Sequence, residues 1–409
     1  LTRDVFKYFY REWSEPVEPP EPETEETRSV EEAPSEGETV KIESIETLLV
    51  GEWLLVRVRT DTGITGVGEA TFWSQPAATA RVVESFSSYL TGKDPLTIDH
   101  HWQYLYRSSS FRSAAISAAL SAIDVALWDI AGKHYGAPVY SLLGGRHRDR
   151  IRMCALCPAD TVDRAVESTA AAVAAGHTAV KITPIPPRFS RLSQARLIQE
   201  TVDRVAAVRE TVGPDVDIGV EIHRSMLPGQ AVMLAEKLEP FNILFLEDPI
   251  QPDSVQSMAD VASRVNVPIA TGERFNSLYE FRELLELHAA RDVKLDVGLH
   301  GGFTQCKKAA GIAEAYHATV SPHNALGPVL LAAHVQLCAA IPNFLVLEYQ
   351  LDPRYDIVAP ALLPEDGYIR LPDAPGIGLE LDDEAVARYP YQEREIATEL
   401  RADGSVGFG

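Results

Sequence analysis

Polar residues recur along this chain at a spacing that surface decoration does not produce. Glu221, Glu247, Glu273, Asp296, His323 and Glu348 follow one another at intervals of 23–27 residues. Each closes a short apolar run: DIGVEIH, NILFLEDP, VPIATGE, DVKLDVG, ATVSPHN and FLVLEYQ; Lys181 holds the same place in HTAVKIT. Charged residues often flank strands, which accounts for one or two such positions, but six in register point to one shared site. Three carboxylates from successive runs, Glu221, Glu247 and Glu273, cannot all stay ionised at close range without a cation. Their oxygen donors suit Mg²⁺, with Mn²⁺ as an alternative. Zinc is disfavoured, because no Cys or paired His stands nearby in the pattern. An Asp beside a His fixes the imidazole tautomer and raises its basicity, so His323 reads as a proton acceptor and Asp296 as its partner. Together these groups predict removal of a proton next to a metal-bound carboxylate, with the ene-diolate stabilised electrostatically. His223 admits three roles: a further ligand, a proton donor or acceptor, or a polar residue at a strand end. As the second residue after Glu221 on a strand, it would share that residue's face.

The elements that must position these residues are equally regular. Amphipathic stretches such as PGQAVMLAEKLEP, SVQSMADVASRV and SLYEFRELLELHAA lie between the strand-like runs. With IRMCALC as the first strand there are eight strand–helix units. They predict an α/β fold with a (β/α)8-type (TIM-like) barrel over residues 151–362, whose active site lies at the C-terminal strand ends. Residues 40–150 read as an α+β capping domain: three short strands, then helical patterns. Of these, ISAALSAIDVALWDIAGKHYG is apolar on every face and therefore buried. Residues 1–39 carry an aromatic cluster, FKYFYREW, followed by a Glu- and Pro-rich stretch that cannot bury enough surface to order itself, and are expected to be flexible.

Composition narrows the partners. The formal charge is −22, and Lys (9) is scarce beside Arg (28). Such a surface repels nucleic acid and anionic lipid, so neither is an expected partner. It also repels itself at low ionic strength, as halophile proteins do, which predicts that stability rises between dilute buffer and molar KCl. A flat unfolding midpoint across that series would refute the reading. Four cysteines are too few for a secreted disulfide framework, and Cys154 and Cys157 face opposite sides of a strand, as buried thiols rather than a redox pair. The N-terminal residues lack the apolar core of a signal peptide. The apolar run GPVLLAAHVQLCAAIPNFLVL is broken by His334, Gln336 and Pro342, so no membrane span is expected. These features predict a soluble, cytoplasmic protein.

Several long segments carry a family pattern in order: GKDPLTIDHHWQYLYR, ALWDIAGKHYGAPVYSLLGGRHRDRI, FLEDP, ATGERF, GLHGGFTQ and SPHNALGPVLLAA. With the strand-end row, they make the chain resemble the enolase superfamily in its mandelate racemase-like branch, over about residues 40–400. A Lys or His base working with Mg²⁺ is the known pattern of that superfamily. The resemblance implies metal ligation by Glu221, Glu247 and Glu273, and a C-terminal segment, 363–409, that returns to the capping domain. It implies a catalytic set of His323, Asp296, His223, Lys181 and Glu348. Thr183 stands where racemases of this branch carry a second Lys, which disfavours two-base racemisation. His223 matches the general acid of galactonate dehydratase-like members, although the first ligand there is usually Asp, not Glu. The implied reaction is loss of water from an aldonic acid such as galactonate, gluconate or xylonate, giving a 2-keto-3-deoxy acid. Lys181 would sit near the substrate carboxylate, Glu348 would hydrogen-bond the ene-diolate, and SSSFRSAAIS around Arg112 and PIPPRFSRLS would set specificity. Rival expectations are a racemase, epimerase or cycloisomerase on the same site, or a binding relative of low activity. The expected partner is a small acid sugar, in a homo-oligomer of the kind this branch often forms.

Overall fold

A computed structural model describes residues 40–71, 75–350, 352–393, 395 and 397–407. The expected flexible extension, 1–39, lies outside the described residues. The β-branched runs after Val40 pair as an antiparallel meander: β1 (Ile42–Val50), β2 (Trp53–Thr60) and β3 (Thr65–Glu69). Helices α1 (Pro76–Leu90), α2 (Ile98–Ser108) and α3 (Ala114–Tyr135) cover the meander, and a short α4 (Val139–Leu142) follows. Close approach explains the TGVGE sequence of β3. A Cβ at Gly68 would meet the carbonyl oxygen of Ala122 in α3 at 2.0 Å. The helix therefore lies directly on the strand that ends in Glu69. α3 is apolar and long enough to cross a membrane, but 78% of its most apolar window is buried, as the core of this cap.

The barrel strands are β4 (Arg150–Cys157), β5 (Ala179–Ile182), β6 (Asp217–Glu221), β7 (Phe245–Glu247), β8 (Ile269–Thr271), β9 (Asp292–Val293), β10 (Thr319–Val320) and β11 (Leu347–Tyr349). They run parallel in sequence order, and β11 pairs back onto β4. The ring closes where Val320 pairs with Phe344. Outside lie α5 (Val162–Ala174), α6 (Gln194–Val212), α7 (Pro228–Leu238), α8 (Val255–Ser263), α9 (Leu278–Glu286), α10 (Gly302–Ala315) and α11 (Pro328–Ala340). Thr161, Ser193 and Ser254 cap three of these helices by accepting a backbone N–H three residues on. Phe245 fills the lower barrel among Cys154, Ala179, Ala270 and Val346. Gly219 makes room for it, since a Cβ there would stand 2.7 Å from the Phe245 ring. Cys154 and Cys157 are free, buried thiols on different sides of β4, one in this inner cluster and one in the outer core.

The C-terminal segment returns to the capping domain only in part. After β12 (Val358–Ala359), β13 (Tyr368–Arg370) pairs antiparallel with the start of β4, at the barrel floor. The stretch that includes β14 (Glu380–Leu381) and α12 (Asp383–Val386) does reach the cap, through Val139 N–H to Gly376 O (2.9 Å) and Gln392 N–H to Gly51 O (2.9 Å). Glu395 and Ala397 then reach the barrel mouth.

Candidate active site

A cavity of about 620 Å³ opens where the barrel strands hand over to their loops, lined among others by Lys181, Glu221, His223, Glu273, His323 and Glu348. Parallel register places Glu221 opposite Glu247 on the last residues of β6 and β7. Glu273 follows two residues after β8, because Gly272 turns the chain there. One oxygen from each of the three carboxylates lies within 4.8 Å of the others, and all three residues are buried. Glu247 Oε2 is buried and makes no hydrogen bond, its nearest cation being Lys294 Nζ at 3.3 Å. Burial and the neighbouring Glu221 push the Glu247 carboxyl well above its ordinary range. Three buried carboxylate oxygens converging within 4.8 Å, in a cluster too negative to ionise fully, are what a site for a hard cation shows, so these residues fit a metal.

Two ammonium groups balance the cluster from below. Lys181 Nζ donates to Glu221 (3.1 Å), Glu247 (2.8 Å) and Glu348 (2.6 Å). Burial alone would lower its pKa, but Glu247, Glu348 and Glu221 outweigh it and hold Lys181 firmly protonated. Lys294 is fully buried, donates to Glu348 at 2.6 Å, and lies 3.3 Å from Glu247. Sequence reasoning missed Lys294. Its signal was parity: in DVKLDVG it stands two residues before Asp296, on a run otherwise apolar at its centre.

Glu348 sits among hydrogen-bond donors. Its Oε1 accepts from both lysines and its Oε2 from Asn324 N–H (3.0 Å). These partners overcome burial and hold the carboxyl well below its ordinary range. In the metal-free protein Glu348 is therefore a carboxylate that acts as an acceptor.

His323 Nδ1 lies 2.9 Å from Asp296 Oδ2, which makes Nδ1 the protonated nitrogen and turns Nε2 toward Glu273 at 3.8 Å. Asp296 is held in turn by Gly298 N–H (2.7 Å). The loop backbone is fixed by His323 N–H to Leu295 O (2.8 Å) and Tyr355 Oη–H to Leu326 O (3.0 Å). Beyond the loop, Glu69 of the cap accepts the backbone N–H groups of Gly327 (2.8 Å) and Leu330 (3.0 Å), at the N-terminus of α11. Burial opposes a charge on His323, but the Glu273 carboxylate and the Asp296 hydrogen bond raise its pKa to about 9. In the metal-free protein the imidazole should therefore titrate near pH 9 by NMR, and Mg²⁺, by cancelling the Glu273 charge, should move that titration down. A midpoint indifferent to Mg²⁺ would show that the cation does not bind beside Glu273.

His223 lies beyond β6, not on it: β6 ends at Glu221, and His223 has φ +54°. The alternation of strand faces therefore does not apply, yet both residues line the same cavity. The connection is a hydrogen bond from His223 N–H to Glu221 Oε1 (2.7 Å). The ring is open to the cavity, and desolvation by the surrounding barrel lowers its pKa against the pull of Glu221.

Neither segment expected to set specificity lines the cavity among the described residues. Arg112 stacks 4.1 Å over the Tyr106 ring and borders a separate pocket of about 280 Å³. In PIPPRFSRLS, Ser190 instead anchors Glu399 (3.0 Å) and Leu400 O (3.1 Å), so this loop supports the C-terminal stretch beside the mouth.

Comparison with known proteins agrees with this architecture. Residues 26–144 match the mandelate racemase/muconate lactonizing enzyme N-terminal domain, and residues 164–385 match the enolase C-terminal domain-like model. The chain belongs to the mandelate racemase/muconate lactonizing enzyme family of the enolase superfamily. Among its relatives is a D-galactonate dehydratase of Ralstonia nicotianae, 34% identical over 87% of this chain and 96% of that protein. A D-galactonate dehydratase of Variovorax paradoxus is also 34% identical, over 90% and 99%. The crystal structure of an enolase from Agrobacterium radiobacter with Na and L-malate bound superimposes with a TM-score of 0.86, at 31% identity, covering 90% of this chain and all of that one.

Proposed function

We propose that this chain is a hydro-lyase that removes water from a sugar acid of the kind galactonate, gluconate and xylonate represent, with Mg²⁺ as its cofactor. The observation that carries the reading is one cavity holding a carboxylate cluster, the His323–Asp296 pair and a separate His223. Mg²⁺ held by Glu221, Glu247 and Glu273 would supply electrophilic stabilisation for negative charge building on the substrate carboxylate. Lys181 donates to the same carboxylate from below. His323 Nε2 takes the C2 proton, while Asp296 holds Nδ1–H and stabilises the imidazolium. The C2 electron pair forms the C2–C3 double bond as the C3–O bond breaks, and His223 delivers the proton that makes the departing hydroxyl water. The enol then tautomerises to the 2-keto-3-deoxy acid. His223 is open to the cavity mouth and can be recharged from solvent.

Racemisation needs a second base on the opposite face, and in the metal-free protein Lys181 is held protonated by three carboxylates. His223→Asn should lower keto-acid formation by at least about 10²-fold, the usual contribution of a positioned acid, while C2 exchange in D₂O continues. Loss of both reactions would overturn the division of labour, and recovery of a C2 epimer from the wild type would favour the racemase.

A further inference from the structure

Away from the metal cluster, the seam between cap and barrel encloses a cavity of about 140 Å³. The cap contributes Trp102 and Arg107 of α2, and the barrel contributes Asn276, the start of α9, and Gln305 and Lys308 of α10. Gly301 lets two of these side chains meet. A Cβ there would stand 2.7 Å from Gln305 Cγ and 3.0 Å from Trp102 Cζ2, the ring atom next to the carbon that carries the indole nitrogen. Trp102 and Gln305 are only 9% and 5% exposed, yet Trp102 Nε1 and Gln305 Nε2 are buried without a hydrogen-bond partner. The indole N–H can only donate, and donors left unmatched at this depth are costly and rare.

The charge around these donors has one sign. In a chain of net charge −22, no carboxylate lines this cavity among the described residues. Arg107 lines it from an exposed position, and Lys308 lies beside it, bonded to Asp99 (3.1 Å). The nine-residue helix α9 turns its N-terminus to the same space through Ser277, Leu278 and Tyr279, and Ser277 makes no side-chain capping bond. The Leu278 and Tyr279 N–H groups therefore lack acceptors within the helix, at the positive end of its dipole. Glu280, the acidic residue of this turn, is taken up by Asn276 N–H (2.9 Å) and Ser277 Oγ–H (2.8 Å). A single acceptor stands among the donors: Asn276 Oδ1 is buried and also unpaired.

We propose that this cavity is a second, non-catalytic binding site for a small tetrahedral oxyanion that retains an O–H, of which hydrogen phosphate is the simplest. Its oxygens accept from Trp102, Gln305 and the α9 amides, and its hydroxyl donates to Asn276 Oδ1. Sulfate has the same shape but no proton to give. The ion ties cap to barrel independently of the dehydration chemistry, because this cavity shares no lining residue with the candidate active site.

The test is calorimetry of the full chain with sodium phosphate, sulfate and chloride at constant ionic strength, with and without Mg²⁺. Wild type is compared with Gln305→Met, which removes one donor at similar length, and with Arg107→Glu, which reverses a charge at an exposed position. Wild type should bind one phosphate per chain, and its unfolding midpoint should rise with phosphate concentration. Each variant should weaken phosphate about 10-fold or more, as loss of a charge-assisted hydrogen bond implies. Sulfate should bind wild type at least about 10-fold more weakly, and Mg²⁺ should leave the phosphate Kd unchanged. No saturable phosphate binding would mean that the cavity holds water alone, and would overturn the proposal. A Kd that either folded variant leaves unmoved, or that follows Mg²⁺, would put the anion elsewhere and do the same. Sulfate binding as tight as phosphate would remove the pairing with Asn276, and equal responses to all three salts would reduce the effect to screening; either refutes the assignment.

Discussion

Replacing His323 with Asn is expected to reduce kcat by roughly 10³–10⁴-fold, the upper range for a positioned general base. It should also stop exchange of the substrate C2 proton with D₂O. Asn keeps the size and one hydrogen-bonding partner for Asp296 but has no basic nitrogen to replace Nε2. The loop should stay in place, because its backbone bonds to Leu295 and Glu69 do not involve the imidazole. Mg²⁺ binding by calorimetry should accordingly be retained. Both reactions vanish together here, whereas His223→Asn separates them. A His323→Asn protein that still exchanges the C2 proton would place the base elsewhere.

Lys294→Met is expected to destabilise the fold by about 3–5 kcal/mol, the usual cost of removing one member of a buried charge pair. Lys294 and Glu348 are both essentially without solvent contact, and the pair is 2.6 Å apart. Met fills a similar volume but leaves Glu348 with a single ammonium and Glu247 with less compensation. Urea unfolding of the two proteins measures the difference. A midpoint that corresponds to less than 1 kcal/mol would mean that Lys181 alone neutralises Glu348 and Glu247.

Most of this site was legible because a parallel barrel converts sequence period into spatial adjacency. The intervals of 23–27 residues are one βα unit each, so Glu221, Glu247, Glu273, Asp296 and His323 could be placed around one mouth from spacing alone. What was not legible depended on local irregularity or distant pairing. His223 and Arg224 owe their directions to two consecutive left-handed residues, which no alternation rule anticipates. Lys294 lay inside a strand-like run read for its last polar residue. The ionised state of Glu348 follows from two lysines and an asparagine brought from three other segments. Glu69 reads as the polar end of a cap strand, and its partners lie 258 and 261 residues further on.

That contact has a bearing on how such proteins diversify. The cap and the barrel fall in separate sequence segments and look exchangeable, one supplying recognition and the other chemistry. Glu69, however, clamps the start of the helix that follows the His323 loop. A foreign cap would have to bring a carboxylate to the same point or leave the loop that aims His323 adrift. New substrates are therefore more accessible by changing single residues around the mouth than by recombining whole segments.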